Sequence, residues 1–402
     1  MRKATADSTA AGPHPDPDPL ELADQLAPAI EAAAGEIEER RELTPAIFDR
    51  LLQAGFYRLL IPRTVNGSEL PVSRFARVIE RIARADASTA WCLGQCGGCS
   101  MSAGYLAPET ARKIFGPQRT VLAWGAGPKG KCVTVPGGYE ATGSWMFASG
   151  GRQASWLGAH IPVFDPSGTP RTAPDGKQLV RTLIFPAQEA KMTDVWHVMG
   201  LKGTGSDNYS VEKLFVPAEH TFDLDGKADP SQTGVLYAFP IRLVYAAAFS
   251  SVALGIARAM LDSFIELAQG KVPHAQKSVL RDNAVVQSHT AQAEAKLRSA
   301  RVYLLRTLEE IEAAVAAGHQ RELSHEQRMQ IRLAATFCLH LGKEVADTVY
   351  HAAGSSAIME SGVFERRFRD MHAVTQQVQG RYVHYETVGQ FLLGLGPDPN
   401  NV

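Results

Sequence analysis

The sequence predicts a mainly α protein with a central β-domain, laid out as an N-terminal helical domain, a barrel-like middle domain and a C-terminal four-helix bundle. Three observations carry that reading. Between Leu20 and Phe115 apolar residues recur at three- and four-residue spacing, as in Leu22, Leu26 and Ile30 and again in Ile47, Leu51 and Leu52, which is the period of an amphipathic helix. From Pro117 the texture changes to β-branched and aromatic residues alternating with polar ones, punctuated by Gly-Gly and Pro-Gly turns. Beyond Thr233 long amphipathic segments return, the pattern of a helical bundle.

Each part follows from local chemistry. Residues 1–19 hold Pro13, Pro15, Pro17 and Pro19 among Asp and Gly, too little apolar surface to offset the entropy of ordering, so a disordered leader is expected. Residues 20–116 form the helical domain, broken at Pro62 and Pro71. Residues 117–222 form the β-domain, with strands over Lys131–Tyr139, Trp156–Val163, Val180–Phe185 and Tyr209–Val216, the density of a compact antiparallel unit closed by Pro217. After a polar stretch from Asp223 to Thr233, residues 234–396 carry helices over Tyr245–Gln269, Val285–Ala317, Ser324–Ala353 and Phe364–Leu395.

Composition narrows the function classes. The 402 residues are 45% hydrophobic, enough for a large core, and 41 basic against 42 acidic residues give a net charge of -1. That balance offers no electrostatic case for nucleic acid or an anionic membrane; a small neutral or amphipathic ligand fits better. No apolar run approaches the ~20 residues of a membrane span, and the N-terminus has no signal-peptide core. Five cysteines, an odd number, point to free thiols in a reducing compartment, so the expected location is the cytoplasm.

Four segments then carry a resemblance. Trp196-His-Val-Met-Gly-Leu-Lys-Gly-Thr-Gly-Ser-Asp207, followed by Val211-Glu-Lys-Leu-Phe-Val-Pro217, closely resembles the segment that closes the β-domain of acyl-CoA dehydrogenases and their monooxygenase relatives. Ala83–Trp91, Gly143-Ser-Trp-Met-Phe-Ala-Ser-Gly150 and Phe368-Arg-Asp-Met-His-Ala-Val-Thr-Gln376 are similar to the same family, in order, and the likeness covers roughly residues 20–396. Together they point to the two-component flavin monooxygenase branch, the group that includes the 4-hydroxyphenylacetate hydroxylase oxygenase component. The resemblance implies an acyl-CoA dehydrogenase-like fold. It also implies reduced FMN or FAD supplied by a separate NAD(P)H:flavin reductase, O2 as co-substrate, a flavin C4a-hydroperoxide that hydroxylates a small aromatic substrate, and a homotetramer with cofactor sites at subunit contacts. Dehydrogenases of this fold need a glutamate base after the Arg-Asp pair, here Arg369-Asp370, or on the first bundle helix. Thr375-Gln-Gln-Val-Gln-Gly380 and Tyr245–Leu254 hold no carboxylate, which weighs against acyl-CoA oxidation. A non-catalytic binding protein on the same fold is the reading from another class.

The resemblance also assigns residues. Ser149 matches the position whose hydroxyl meets the flavin N5 region, with Trp124, Gly125, Ala126, Phe147 and Ala148 along the flavin; the alternative for Ser149 is a turn serine bonding its own backbone. His372 matches a histidine facing flavin and substrate. An imidazole with an ordinary pKa of ~6.5 suits acid/base work, and a packed helix histidine is the alternative. Arg281 and Gln287 match flavin phosphate or ribose contacts, against a solvated Arg beside Asp282. Gly354 and Ser355 resemble the bundle loop that meets a neighbouring subunit's cofactor, against a helix-terminating glycine. Thr375 joins the cofactor set. Trp91 opens the helix that lines the substrate pocket in relatives, and Cys99 stands where those relatives often carry His.

Three patterns lead elsewhere. Cys92-x-x-x-Cys96-x-x-Cys99 has the spacing of a radical iron-sulfur motif but continues a helical run rather than following a barrel strand. Gly125-Ala-Gly-Pro-Lys-Gly130 satisfies GxGxxG, yet a strand rather than a helix follows it. No zinc spacing occurs, so no metal is expected.

Overall fold

A computed structural model describes residues 17–174 and 176–396. The expected leader lies outside the described residues except at its end, where it is shorter than expected. Asp18 accepts the Leu20 N–H at 3.0 Å and caps α1 (Pro19–Arg40), with Pro19 in the first turn where its missing N–H costs nothing. Thr44 and Pro45 open α2 (Pro45–Gln53) in the same way. Helix α3 (Val72–Ala85) follows Pro71, and Asp86 ends it while capping α4 (Ala87–Ser100) through the Thr89 N–H and hydroxyl, both at 2.7 Å. Trp91 therefore sits in the second turn of its helix rather than at its start. Helix α5 (Pro108–Phe115) completes the N-terminal domain.

Eight strands follow: β1 (Leu122–Trp124), β2 (Ala126–Val135), β3 (Gly138–Ala148), β4 (Trp156–Phe164), β5 (Val180–Pro186), β6 (Lys191–Thr193), β7 (Asp207–Pro217) and β8 (Thr221–Phe222). They pair in the order β6-β7-β3-β2-β4-β5-β8, with β1 on β4. The sheet is not wholly antiparallel, because β4 runs parallel to both β1 and the far end of β2. After β3 the chain turns at Gly150, whose φ of 76° suits glycine, and returns alongside β1 before it re-enters the sheet. Trp145 and Tyr209, both fully buried, stack at 5.2 Å between β3 and β7.

The C-terminal domain is built on α6 (Ile241–Gly270), α7 (Ala284–Gly318) and α8 (His325–Ala353). Helix α6 is apolar and long enough to span a bilayer by composition, with mean hydropathy 1.6 over its best window, a run that sequence inspection passed over; 89% of that window is buried, as in a core helix. Gly255 lets it cross α3 closely: a Cβ there would lie 2.5 Å from the Ala83 Cβ and the Glu80 carbonyl. The fourth expected helix divides into α9 (Val363–Val374) and α10 (Val383–Leu392). Polar side chains between them take up backbone groups, Thr375 donating to the His372 carbonyl at 2.9 Å and Gln377 accepting the Gln379 N–H at 2.6 Å, in place of continued helical bonds.

Candidate active site

Strands β2 and β3 bring two expected groups together. Ala126 pairs with Met146 just before a bulge, so Trp124–Ala126 lie beside Phe147–Ser149. Gly125 is required by this approach, since a Cβ would overlap the Met146 carbonyl, and its N–H is held by the Tyr209 hydroxyl at 3.1 Å. Phe147 adopts φ 62°, a conformation that costs a non-glycine residue free energy, and presents a ring 55% exposed, edge-on to Trp196 at 6.1 Å.

Ser149 turns inward. Its hydroxyl accepts the Trp91 indole N–H at 3.1 Å and lies 2.6 Å from the Ser206 hydroxyl, which lies 2.7 Å from that of Thr204, which in turn donates to the Leu201 carbonyl at 2.8 Å. All four side chains are buried. Ser149 is thus neither isolated nor satisfied by its own turn.

One face of α4 carries Trp91, Gln95 and Cys99, each four residues from the next. Opposite stand Tyr245 and Phe249 of α6, with Trp91 stacked on Phe249 at 4.0 Å and Tyr245 parallel to Phe249 at 5.6 Å. Gln95 is the one residue of α4 that is not fully buried, and Tyr245 is likewise partly open. The Gln95 amide reaches the Tyr245 hydroxyl and the Trp124 carbonyl, each at 3.4 Å, so these two partly open side chains mark a recess where α4, α6 and β1 meet, with the stacked Trp91 and Phe249 rings buried behind it. Cys99 lies behind them, wholly buried, 3.3 Å from the Tyr245 hydroxyl. Burial pushes its thiol up to about 12, so it stays protonated. Sequence reasoning missed Gln95 and Tyr245, although Gln95 was findable as the midpoint between Trp91 and Cys99 on one helical face.

His372 pairs with the neighbouring bundle helix. Its Nε2 lies 3.1 Å from an Asp347 carboxylate oxygen on α8, while Lys343 bonds the other oxygen at 2.6 Å and Phe368 packs at 4.4 Å. Asp370, two residues earlier and so about 200° around the helix, faces the opposite way and accepts the Leu201 N–H. Thr375 caps α9 beside His372.

Arg281, Gln287, Gly354 and Ser355 gather at the far end of α6. Arg281 donates to Gln269 at 2.9 Å, Gln287 donates to the Arg281 carbonyl at 2.9 Å, and both line a shallow cleft of about 570 Å³. Lys271 links this corner to the Gly354 loop by bonding the Ala353 carbonyl at 2.6 Å and the Ser356 hydroxyl at 2.8 Å. From Tyr245 to Gln269 is 24 helical residues, about 36 Å, more than one bound flavin spans. The Arg281 corner and Tyr245 therefore lie toward opposite ends of α6.

Comparison with known proteins fits this geometry. Family models for the acyl-CoA dehydrogenase N-terminal and C-terminal domains match residues 21–113 and 247–380. Indole-3-acetate monooxygenase of Pseudomonas putida is 31% identical over 372 residues, 92% of each protein. The chain belongs to the acyl-CoA dehydrogenase family, in its flavin-dependent monooxygenase branch. The crystal structure of the HsaA monooxygenase from M. tuberculosis superposes with a TM-score of 0.85 at 26% identity, covering 96% of this chain and 99% of that one. XiaF from Streptomyces sp., solved in complex with FADH2 and glycerol, shares the fold with a TM-score of 0.87 at 21% identity over 94% and 96% of the two chains.

For a member of this family the recess has a suitable donor set: a buried hydroxyl in Ser149, an amide in Gln95, an exposed aromatic ring in Phe147, and main chain at a glycine-bearing strand junction. No carboxylate stands at either position where dehydrogenases of the family keep their base. Within the first, Thr375–Gly380, Gln379 is paired with Arg332, and the α6 face at the second presents Tyr245 and Phe249.

Proposed function

We propose that the chain is the oxygenase component of a two-component system, accepting reduced FMN or FAD from a separate NAD(P)H:flavin reductase and using O2 to monooxygenate a small aromatic substrate. The observation that carries this reading is that Trp124–Ala126, Phe147 and Ser149 adjoin the partly open Gln95 and Tyr245, backed by the buried, stacked rings of Trp91 and Phe249. Reduced flavin supplies the electrons that activate O2 there. The chain's own residues would hold it: Phe147 and the β1–β2 junction would line the isoalloxazine ring and Ser149 would bond to it, while the buried aromatic rings of Trp91 and Phe249 would keep the surroundings apolar. Indole and phenol rings suit this aromatic surrounding, with the partly open Gln95 and Tyr245 meeting a polar substituent.

His372, buttressed by Asp347, is assigned the acid/base role. Arg281, Gln287, Gly354 and Ser355 serve the flavin of a neighbouring subunit, which the 36 Å separation estimated from helix rise supports, and the assembly is a homotetramer. Five free, buried thiols favour a cytoplasmic setting, without nucleic acid or membrane as partner.

The test is anaerobic titration with reduced FMN and FADH2, followed by O2 and a panel of indoles and phenols with 18O2 tracing. Incorporation of one labelled oxygen into an aromatic product is expected. Steady NADH oxidation by this chain alone, or reduction of a dye acceptor by an acyl-CoA, overturns the reading.

A further inference from the structure

We propose that Thr204 and Ser206 are positioning residues that lock the Ser149 hydroxyl as a hydrogen-bond acceptor toward the recess, so that the site selects flavin carrying a proton on N5, the reduced form. This rests on the flavin reading above and adds a cause for redox selectivity. A hydroxyl donates once and accepts twice, an indole N–H only donates, and a carbonyl only accepts.

The direction of the chain is therefore forced from its far end. The Leu201 carbonyl has no proton to give, so Thr204 donates to it across 2.8 Å and has none left for Ser206. Ser206, 2.7 Å from Thr204, must donate to it. Ser149, 2.6 Å from Ser206, must then donate in its turn. On its other side Ser149 receives the Trp91 N–H, which cannot be reversed. Its single proton is used and one lone pair remains.

That lone pair would accept an N–H. Reduced flavin offers one at N5, whereas oxidised flavin presents N5 as a bare acceptor and would meet oxygen lone pair against nitrogen lone pair. Turning Ser149 into a donor requires reversing the Ser149–Ser206 bond, which leaves the Ser206 and Thr204 oxygens 2.7 Å apart with no proton between them. Because the chain is buried, no bulk water is at hand to relieve that contact.

The experiment compares dissociation constants for oxidised FMN and, anaerobically, reduced FMN in the full-length protein, and records the N5 resonance of 15N-labelled oxidised FMN when bound. Wild type should prefer reduced FMN. Thr204→Val is isosteric but lacks the hydroxyl, and Ser206→Ala removes the next link; each frees the Ser149 proton, so each should lower the reduced-to-oxidised preference by about tenfold, chiefly by tightening oxidised FMN, and shift the N5 resonance in the direction of an accepted hydrogen bond. Thr204→Ser keeps the hydroxyl and should keep the wild-type preference, which a merely structural role at position 204 does not predict. The proposal is overturned if folded Thr204→Val and Ser206→Ala retain the wild-type ratio and N5 resonance, or if wild type binds the two redox forms equally. Failure of wild type to bind either form overturns the flavin reading beneath it.

Discussion

The Asp370 carboxylate, enclosed by protein, accepts the Leu201 backbone N–H at 2.6 Å, and this one bond ties helix α9 to the turn that carries Thr204 and Ser206. Arg369 reinforces the join by donating to the Met199 carbonyl at 2.6 Å. The Arg-Asp pair, placed in the sequence by resemblance alone, thus acts as a clamp on the loop behind Ser149.

Burial, with the nearby Asp86 charge, pushes the Asp370 carboxyl up to about 7. Its unfolded value is near 4, so between pH 4 and 7 the folded chain keeps a proton that the unfolded chain has lost, and the Asp370 contribution to stability falls as pH rises through that window. Asp370→Asn should therefore gain on wild type as pH rises from 5 to 8, by roughly 2–3 kcal/mol at the top of the range. Urea unfolding midpoints at several pH values check this, and a difference that does not vary with pH refutes it. The same comparison cancels the opposing effect of His160, which burial depresses to about 4.

Ser149→Ala leaves two buried partners, the Trp91 N–H and the Ser206 hydroxyl, short of a bond. A loss of about 1–3 kcal/mol in stability is expected, together with a larger share of O2 released as H2O2 rather than transferred to substrate. Thermal melting and peroxide yield per NADH, measured with a reductase present, read the two effects separately. Unchanged coupling in a folded variant would remove Ser149 from the oxygen chemistry.

Much of this fold was legible because its signals are local. Strand alternation placed β4, β5 and β7 to within two residues, and the apolar period placed α6, α7 and α8 to within about four. What escaped depends on partners remote in sequence. The parallel pairing of β4 is set by where the Gly150 turn returns the chain, and the break after Val374 by glutamine and threonine side chains choosing backbone partners. The hydroxyl chain joins Ser149 to residues 55 to 57 positions later, which no spacing reveals. Cys99, by contrast, is where helical geometry puts it, on the face of Trp91, but behind Gln95 and Tyr245 rather than at the front of the recess.

Gly98 packs directly beneath the Tyr245 ring, where an added Cβ would overlap the ring carbons. Gly98→Ala should displace that ring from Gln95 and Cys99, costing about 1–3 kcal/mol as an overpacked core and raising KM for the aromatic substrate more than it lowers kcat. Steady-state kinetics across a substrate panel check it. A variant with unaltered KM values and a wild-type melting temperature would show that Tyr245 does not shape the recess.

His372 and Asp347 should fail together if the carboxylate orients the imidazole. Asp347→Asn preserves shape but changes what the ring nitrogen meets, so it should slow oxygen transfer in the same direction as His372→Ala, with flavin still bound in both. Stopped-flow mixing of the reduced complex with O2 and substrate distinguishes transfer from binding. A slow His372→Ala beside a normal Asp347→Asn would leave the histidine in place and discard the pairing as an orienting device.

Gln269, which Arg281 bonds, and Tyr245 stand about 36 Å apart along α6, so on the proposed reading a flavin touching both groups draws them from two chains. Arg281→Ala and Ser149→Ala should then complement each other. Each homogeneous variant is impaired at every site, Arg281→Ala in flavin affinity and Ser149→Ala in coupling. In the proposed tetramer, randomly mixed, about a quarter of the sites would nevertheless combine an intact Ser149 from one subunit with an intact Arg281 from its neighbour. Co-expression from two tagged copies, purification of the mixed species and measurement of coupled product formation should recover roughly that fraction of wild-type activity. Recovery no greater than the mean of the two parents would mean that each site is complete within one chain, and the Arg281 corner would then need another ligand.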